Sequence, residues 1–144
     1  MSCPFCQIVA GELPASVVHR DELCWTFMDI RPVSRGHALV IPVRHAAMLE
    51  ELDDATRARM WQVGLSVAAA HRASAIPCRG HNFLLNDGRA ANQTVAHAHL
   101  HVIPRSGGDF LKTVFNLARN LAGLGTVRRT ALDADAEEIR RQLD

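Results

Sequence analysis

His97, His99 and His101 stand at alternate positions in the run His97-Ala98-His99-Leu100-His101-Val102-Ile103. A spacing of two gathers three imidazoles on one face only of an extended strand, because a helix turns about 100° per residue and scatters them. Ala98, Leu100 and Val102 then form an opposite, apolar face. Imidazole is a nucleophile, a base and a metal ligand, and an ordinary pKa of about 6.5 leaves it mostly neutral at neutral pH. Three in a row imply chemistry, either through a nucleophilic or basic nitrogen or at a zinc ion held by three imidazoles. Small polar groups lead into the row, Asn86-Asp87-Gly88 and then Asn92-Gln93-Thr94, as an anion site requires.

Cys3-Pro4-Phe5-Cys6 is a second feature with chemical content. Two thiolates at this spacing can grip one metal ion, and zinc then needs two further ligands, which histidines can supply. A redox pair at this spacing usually follows a strand, and nothing before Cys3 can form one. Cys24 and Cys78 have no such partners and read as small apolar fillers. Asp29 ends a strand, where a carboxylate can accept both hydroxyls of a ribose or simply cap the following loop.

The elements that must position these groups are short. Strands are expected over 17–19, 23–28, 37–41, 81–86 and 96–104, each rich in β-branched, aromatic or leucine residues and bounded by polar or Pro/Gly breaks. An antiparallel meander is the natural arrangement. The main helix is expected over 52–75, capped by Asp53 or Asp54, with Met60, Val63, Val67 and Ala70 at helical spacing facing the sheet. Trp61 and His71 on this helix read as edge or core residues. A short helix over 7–10 ends at Gly11, an amphipathic helix covers 110–121, and a charged one covers 133–143 after a break at Ser106-Gly107-Gly108. The fold class is α+β: an antiparallel five-stranded sheet with one long helix and short terminal helices. The chain is expected to be a single domain over 1–144, its core about 3–105, with 106–144 as a variable C-terminal extension.

Composition narrows the function. The chain has 144 residues, 48% of them hydrophobic, enough for a real core. Its 16 Lys and Arg are dispersed among 15 Asp and Glu, for a net charge of +1, so no basic stripe offers itself to a nucleic acid polymer. No apolar run approaches a membrane span and the N-terminus lacks the regions of a signal peptide, so a cytoplasmic protein is expected. A chain of this size outside the secretory route does not need its four cysteines as disulfides.

The run from Gln93 to Ile103, in which histidine alternates with apolar residues after a Gln-Thr lead-in, resembles the signature of the histidine triad family of nucleotide hydrolases and transferases. The resemblance extends upstream to Asp29-Ile30-Arg31-Pro32, to Gly36-His37-Ala38-Leu39-Val40-Ile41-Pro42, to Arg44-His45 and to Cys3-Pro4-Phe5-Cys6, about three quarters of the chain. It implies a purine nucleotide of AMP type as substrate, cleaved at its α-phosphate from a phosphoramidate, an acyl group or a second nucleotide. His99 is then the nucleophile that forms a nucleotidyl-histidine, Gln93 and a protonated His101 steady the phosphoryl oxygens, and Thr94 assists the leaving group. The resemblance further implies that Asp29 binds ribose and that Phe27 and Ile30 line the base pocket, and the order of the last two strands sets Asn86 close to the histidines as a further nucleotide-binding residue. His37 supports the triad from behind. Zinc-bearing members imply a structural zinc on Cys3, Cys6, His45 and His97, with no organic cofactor, and a homodimer whose two sheets join into ten strands.

Departures from the family pattern limit what the resemblance carries. Asn92 stands where many relatives have glycine, Val43-Arg44 replaces a Lys-Lys pair, and the C-terminal region lacks the Trp-Pro-Pro-Gly ending of the phosphoramidase branch. The leaving group is therefore left open. Two other functions compete: a nucleotide-binding regulatory protein with little turnover, and a zinc enzyme using all three histidines as ligands.

Overall fold

A computed structural model describes residues 3–143. Strands β1 (Val17–Arg20), β2 (Cys24–Met28), β3 (Ala38–Pro42), β4 (Gly80–Leu85) and β5 (Leu100–Arg105) form one antiparallel sheet in the order β1-β2-β3-β5-β4. Helices α1 (Pro4–Val9), α2 (Asp54–Ala73), α3 (Phe110–Leu121) and α4 (Arg129–Arg140) surround it. The expected meander holds for β1 to β3 only. β5 enters between β3 and β4, and burial explains the exchange: Leu100 and Val102 of β5 are fully covered, whereas β4 exposes Asn82 and Leu84 and tolerates an edge.

Alternation along the strands decides what each face holds. Cys24, Met28, Ala38, Val40, Leu100 and Val102 share one core with Met60, Val63 and Val67 of α2 and with Leu132, Ala136 and Ile139 of α4. Phe27, Leu39 and Ile41 point to the other face, where Phe5 of α1 joins them. One face is thus scaffold, and the other is free to carry a site. The helix expected over 133–143 begins four residues earlier, at Arg129, because Leu132, Ala136 and Ile139 bury one side of it against the sheet.

α2 starts as expected, with the Asp53 carboxylate accepting the Thr56 N–H at 2.7 Å. It is tied to the β1–β2 turn through Asp21, whose carboxylate takes the N–H groups of Leu23 and Cys24 and pairs with Arg59 at 2.8 Å. Near its end, His71 is buried and donates from Nε2 to the Gly36 carbonyl at 2.8 Å, while its ring stacks on His81. Gly36 has φ of +90° and its Cα faces Ile76 and Pro104 so closely that a side chain would strain both backbone and packing. The helix therefore fixes the residue just before His37.

Burial, helped by the neighbouring His81, pushes the His71 pKa down to about 4. An unfolded histidine titrates near 6.5, so between these values the unfolded chain holds one more proton than the folded one. Stability from this group is complete above about pH 6.5 and falls as pH drops towards 4, by about 1.4 kcal/mol per pH unit and about 3 kcal/mol in all. Urea unfolding between pH 7.5 and 4.5 is expected to show a steeper pH dependence in the wild type than in His71→Gln, the difference being the one proton of His71. Equal slopes in the two proteins would refute the assignment.

Candidate active site and metal centre

β5 begins at Leu100, later than the sequence pattern suggests, so His101 alone of the three histidines lies on the paired strand. The reason is the partner. β3 pairs only as far as Val40 opposite Leu100, beyond which the Ala98 N–H turns to the Ala46 carbonyl at 2.7 Å. The three imidazoles consequently meet different partners, and the hydrogen bonds assign the proton on each ring.

His97 donates from Nε2 to the Pro42 carbonyl at 2.8 Å, leaving the Nδ1 lone pair free. That nitrogen lies 3.4 Å from the Cys3 sulfur, 3.6 Å from the Cys6 sulfur and 3.3 Å from His45 Nδ1, and the Cys6 sulfur is 3.3 Å from His45. Tetrahedral zinc with ordinary bond lengths separates its ligands by about 3.3 to 3.8 Å. The two thiols and two imidazole lone pairs fit that ion, with the Nε2 proton of His97 oriented by a backbone carbonyl in the manner of ligating histidines. Cys3 and Cys6 flank the start of α1, so an ion there would fasten α1 to the strand ends.

His99 donates from Nδ1 to the His97 carbonyl at 2.7 Å, which leaves Nε2 with a lone pair. Burial holds its pKa below the usual value, so this nitrogen stays unprotonated at neutral pH. The Phe5 ring meets both His97 and His99 edge-on, at 5.7 and 5.3 Å, and lies between the Cys-Cys-His-His cluster and the cavity.

His101 is part of a relay. The Val33 N–H donates to His37 Nδ1 at 3.0 Å, so His37 carries its proton on Nε2 and gives it to His101 Nδ1 at 2.8 Å. His101 then bears its own proton on Nε2. Burial, with His37 and His99 beside it, pushes its pKa down to about 3. The expected protonated His101 is therefore corrected: the ring is neutral, and it can still donate a hydrogen bond from Nε2. Asp29 lies 3.5 Å from His37 Nε2 and accepts the Arg31 N–H at 2.8 Å, so it caps its loop as well as facing the site.

Spacing alone would allow a second ion among Asp29, His37 and His101. The Val33 amide excludes it, because a His37 that accepts at Nδ1 must keep the proton on Nε2 and has no lone pair there to give. Nor can His97, His99 and His101 share one ion, since His97 offers its lone pair to the cysteines and His101 offers Nδ1 to His37.

A cavity of about 450 Å³ opens in front of His99 and His101. Phe27, Asp29, Ile30 and Thr94 line it as the sequence implies, with mostly apolar walls and few polar groups, the composition of a small-molecule site. Phe5, Ile8 and Leu13 near α1, Val95 and Arg129 of α4 also line it, and sequence reasoning missed them. The apolar pair Phe5 and Ile8, three apart on a helix, was the available signal; Arg129 carried none. Gln93 and Asn86 do not line it. The Gln93 amide accepts the Gly88 N–H and donates to the Ala47 carbonyl, both at 2.7 Å, and Asn86 donates to the Asn92 carbonyl at 3.3 Å. Both brace the loop that carries Thr94. Asn92 adopts φ of +63°, a left-handed conformation that asparagine tolerates better than other side chains, which accounts for its standing in for glycine.

An α+β sheet with one helix across its back, a buried His99 flanked by His97 and His101, and a Cys-Cys-His-His cluster behind them define the histidine triad class. The chain belongs to the HIT domain family, whose model matches residues 10–108. It is 41% identical over 110 residues to the adenosine 5′-monophosphoramidase of Schizosaccharomyces pombe, covering 76% of this chain and 79% of that protein. It is 37% identical over 119 residues to an adenylylsulfatase of Arabidopsis thaliana, covering 82% and 59% respectively. Among solved structures, a zinc-bound histidine triad family protein from Mycobacterium smegmatis is similar with a TM-score of 0.83 and 40% identity, over 99% of this chain and 94% of that one. No helix among the described residues is long and apolar enough to cross a membrane.

Proposed function

We propose that the protein hydrolyses nucleotides of AMP type at the α-phosphate, taking an amine, sulfate, acyl group or second nucleotide as leaving group. The observation that carries this reading is the set of proton positions: His99 presents a lone pair on Nε2 and His101 a proton on Nε2 to the same cavity. The relatives that cleave adenosine phosphoramidate and adenylyl sulfate support it.

In this mechanism His99 Nε2 attacks the α-phosphorus as the bond to the leaving group breaks, giving adenylyl-His99, and water then displaces AMP and restores the ring. His101 donates to a phosphoryl oxygen as charge builds there. Thr94 lines the cavity, and its hydroxyl passes a proton to the departing group. Asp29 takes the ribose hydroxyls, while Phe27 and Ile30 enclose the base. His97 takes no part in the bond changes. Zinc on Cys3, Cys6, His45 and His97 supplies a cross-link that holds the strand ends, and no reaction step.

Chromatography of AMP released from adenosine 5′-phosphoramidate and from adenylyl sulfate tests the reading. Turnover of at least one is expected. Tight AMP binding with turnover of neither would replace the enzyme with a nucleotide-binding protein.

The working unit in this proposal is a homodimer. β4 is an open edge, and beside it Trp61 and Leu65 of α2 and Leu84 of β4 are 48%, 58% and 46% exposed, a patch that pairing across a two-fold axis would cover. Joining β4 to its copy makes one ten-stranded sheet. Light scattering at micromolar protein is expected to give twice the 15.8 kDa of one chain, and a single-chain mass refutes it.

A further inference from the structure

We infer that α3 serves the reaction from behind, with Asn116 and Asn120 as positioning residues that set the proton on His101 through the backbone of residues 30–33. The inference rests on the reaction proposed above for its catalytic consequence, though not for its structural content.

α3 does not sit on the body of the protein through its apolar residues. Phe110, Leu111, Phe115 and Leu121 are all more than 60% exposed. What the helix turns inward is a pair of amides one turn apart. Asn116 donates to the Val33 carbonyl at 2.9 Å and Asn120 to the Arg31 carbonyl at 2.6 Å. Just beyond the helix, the Val127 N–H bonds the Ile30 carbonyl at 3.1 Å. The segment from 116 to 127 thus grips three carbonyls of the loop that follows Asp29.

Two of those carbonyls flank the peptide that matters. The Arg31 carbonyl belongs to the plane before Pro32 and the Val33 carbonyl to the plane after Val33. With both planes held, and the φ of Pro32 locked near −65° by its ring, the plane between them has little freedom left. That plane carries the Val33 N–H, which is aimed at His37 Nδ1. Its direction decides the tautomer of His37, and His37 decides that of His101.

Release of the loop would let His37 move its proton to Nδ1. His37 Nε2 would then accept from His101 Nδ1, and His101 would turn a lone pair towards the phosphoryl oxygens where a donor is needed. The clasp is built at a cost, for Asn120 Oδ1 is buried without a partner among the described residues. Gly125 lies against the Asn120 side chain so closely that a methyl group there would overlap its amide. Glycine at 125 therefore belongs to the same device.

The test is histidine-ring nitrogen NMR on three proteins: wild type, the double variant Asn116→Leu with Asn120→Leu, and Gly125→Ala, which keeps both amides but displaces one. In the wild type, His37 and His101 are expected to show protonated Nε2 and bare Nδ1. In both variants the two rings should shift to a mixture of tautomers. With adenosine 5′-phosphoramidate, kcat should fall on the order of tenfold to a hundredfold, and more than KM rises, as expected of misplacement at a distance from the chemistry. Wild-type tautomers in either folded variant overturn the inference, whatever the activity. Should the double variant fail to fold, Gly125→Ala decides alone. Tautomers that respond as expected in a wild type that releases no AMP would instead leave the clasp standing and remove the proposed reaction.

Discussion

His99→Ala is expected to lower turnover of an adenosine phosphoramidate by at least about a thousandfold while AMP still binds. The size follows from the role, since removing a covalent nucleophile forces a single direct displacement by water and usually forfeits several orders of magnitude. Binding survives because the cavity walls, Phe27, Leu39 and Val95, and Asp29, the residue proposed to take the ribose, are untouched. Zinc content should also survive, because His99 offers its Nδ1 proton to the His97 carbonyl and points no lone pair at the cysteines. A three-histidine catalytic zinc would lose both metal and activity together. Turnover within tenfold of wild type sinks the nucleophile assignment, and loss of metal sinks the separation of the two centres. Rapid quenching of the wild type with labelled substrate should further trap about one nucleotide per chain, and the variant should trap none.

How far the sequence could be read depended on whether the signal was local. Alternation in 97–103 marked the histidines, and Asp53, Gly11 and the apolar spacing of α2 marked helix ends and a buried face, all through contacts within a few residues. The position of β5 inside the sheet was hidden because strand order is settled by competition for burial between β4 and β5, whose compositions differ only slightly. The proton positions were hidden for a different reason. They are dictated by main-chain groups, the Pro42 and His97 carbonyls and the Val33 N–H, and main chain looks alike in every sequence. Gln93 is a different case: its type suits a phosphate ligand, and in the structure its amide also bonds the Gly88 N–H and the Ala47 carbonyl of the loop. Arg129, Asn116 and Asn120 fall outside the part of the chain that resembles the family, and each reaches its partner across more than 80 residues.

Cys3→Ser with Cys6→Ser is expected to reduce zinc from about one ion per chain to well below one half, and to lower the melting temperature by about 10 °C. Serine keeps the size of the side chain but not the soft thiolate that zinc prefers, so two imidazoles alone remain. Small zinc-dependent domains owe about 10 to 16 kcal/mol to their ion. Here the sheet buries its own core through α2 and α4, so an ion held by the four residues would support only the junction of α1 with His45 and His97. A local loss of about 3 kcal/mol in a chain of this length corresponds to roughly the stated shift. The consequences should reach the cavity, because Phe5 lies between the two cysteines and packs against Phe27 at 5.4 Å and His99 at 5.3 Å. Without an ion there, α1 would carry Phe5 away from both rings and loosen the wall next to His99. The variant should therefore bind AMP more weakly and react more slowly, without the total loss seen for His99→Ala. Elemental analysis and calorimetry on the two proteins, prepared side by side in the same zinc-containing buffer, decide the matter: undiminished zinc in the double serine variant rules out the four-residue site, and full zinc loss with unchanged melting rules out its structural role.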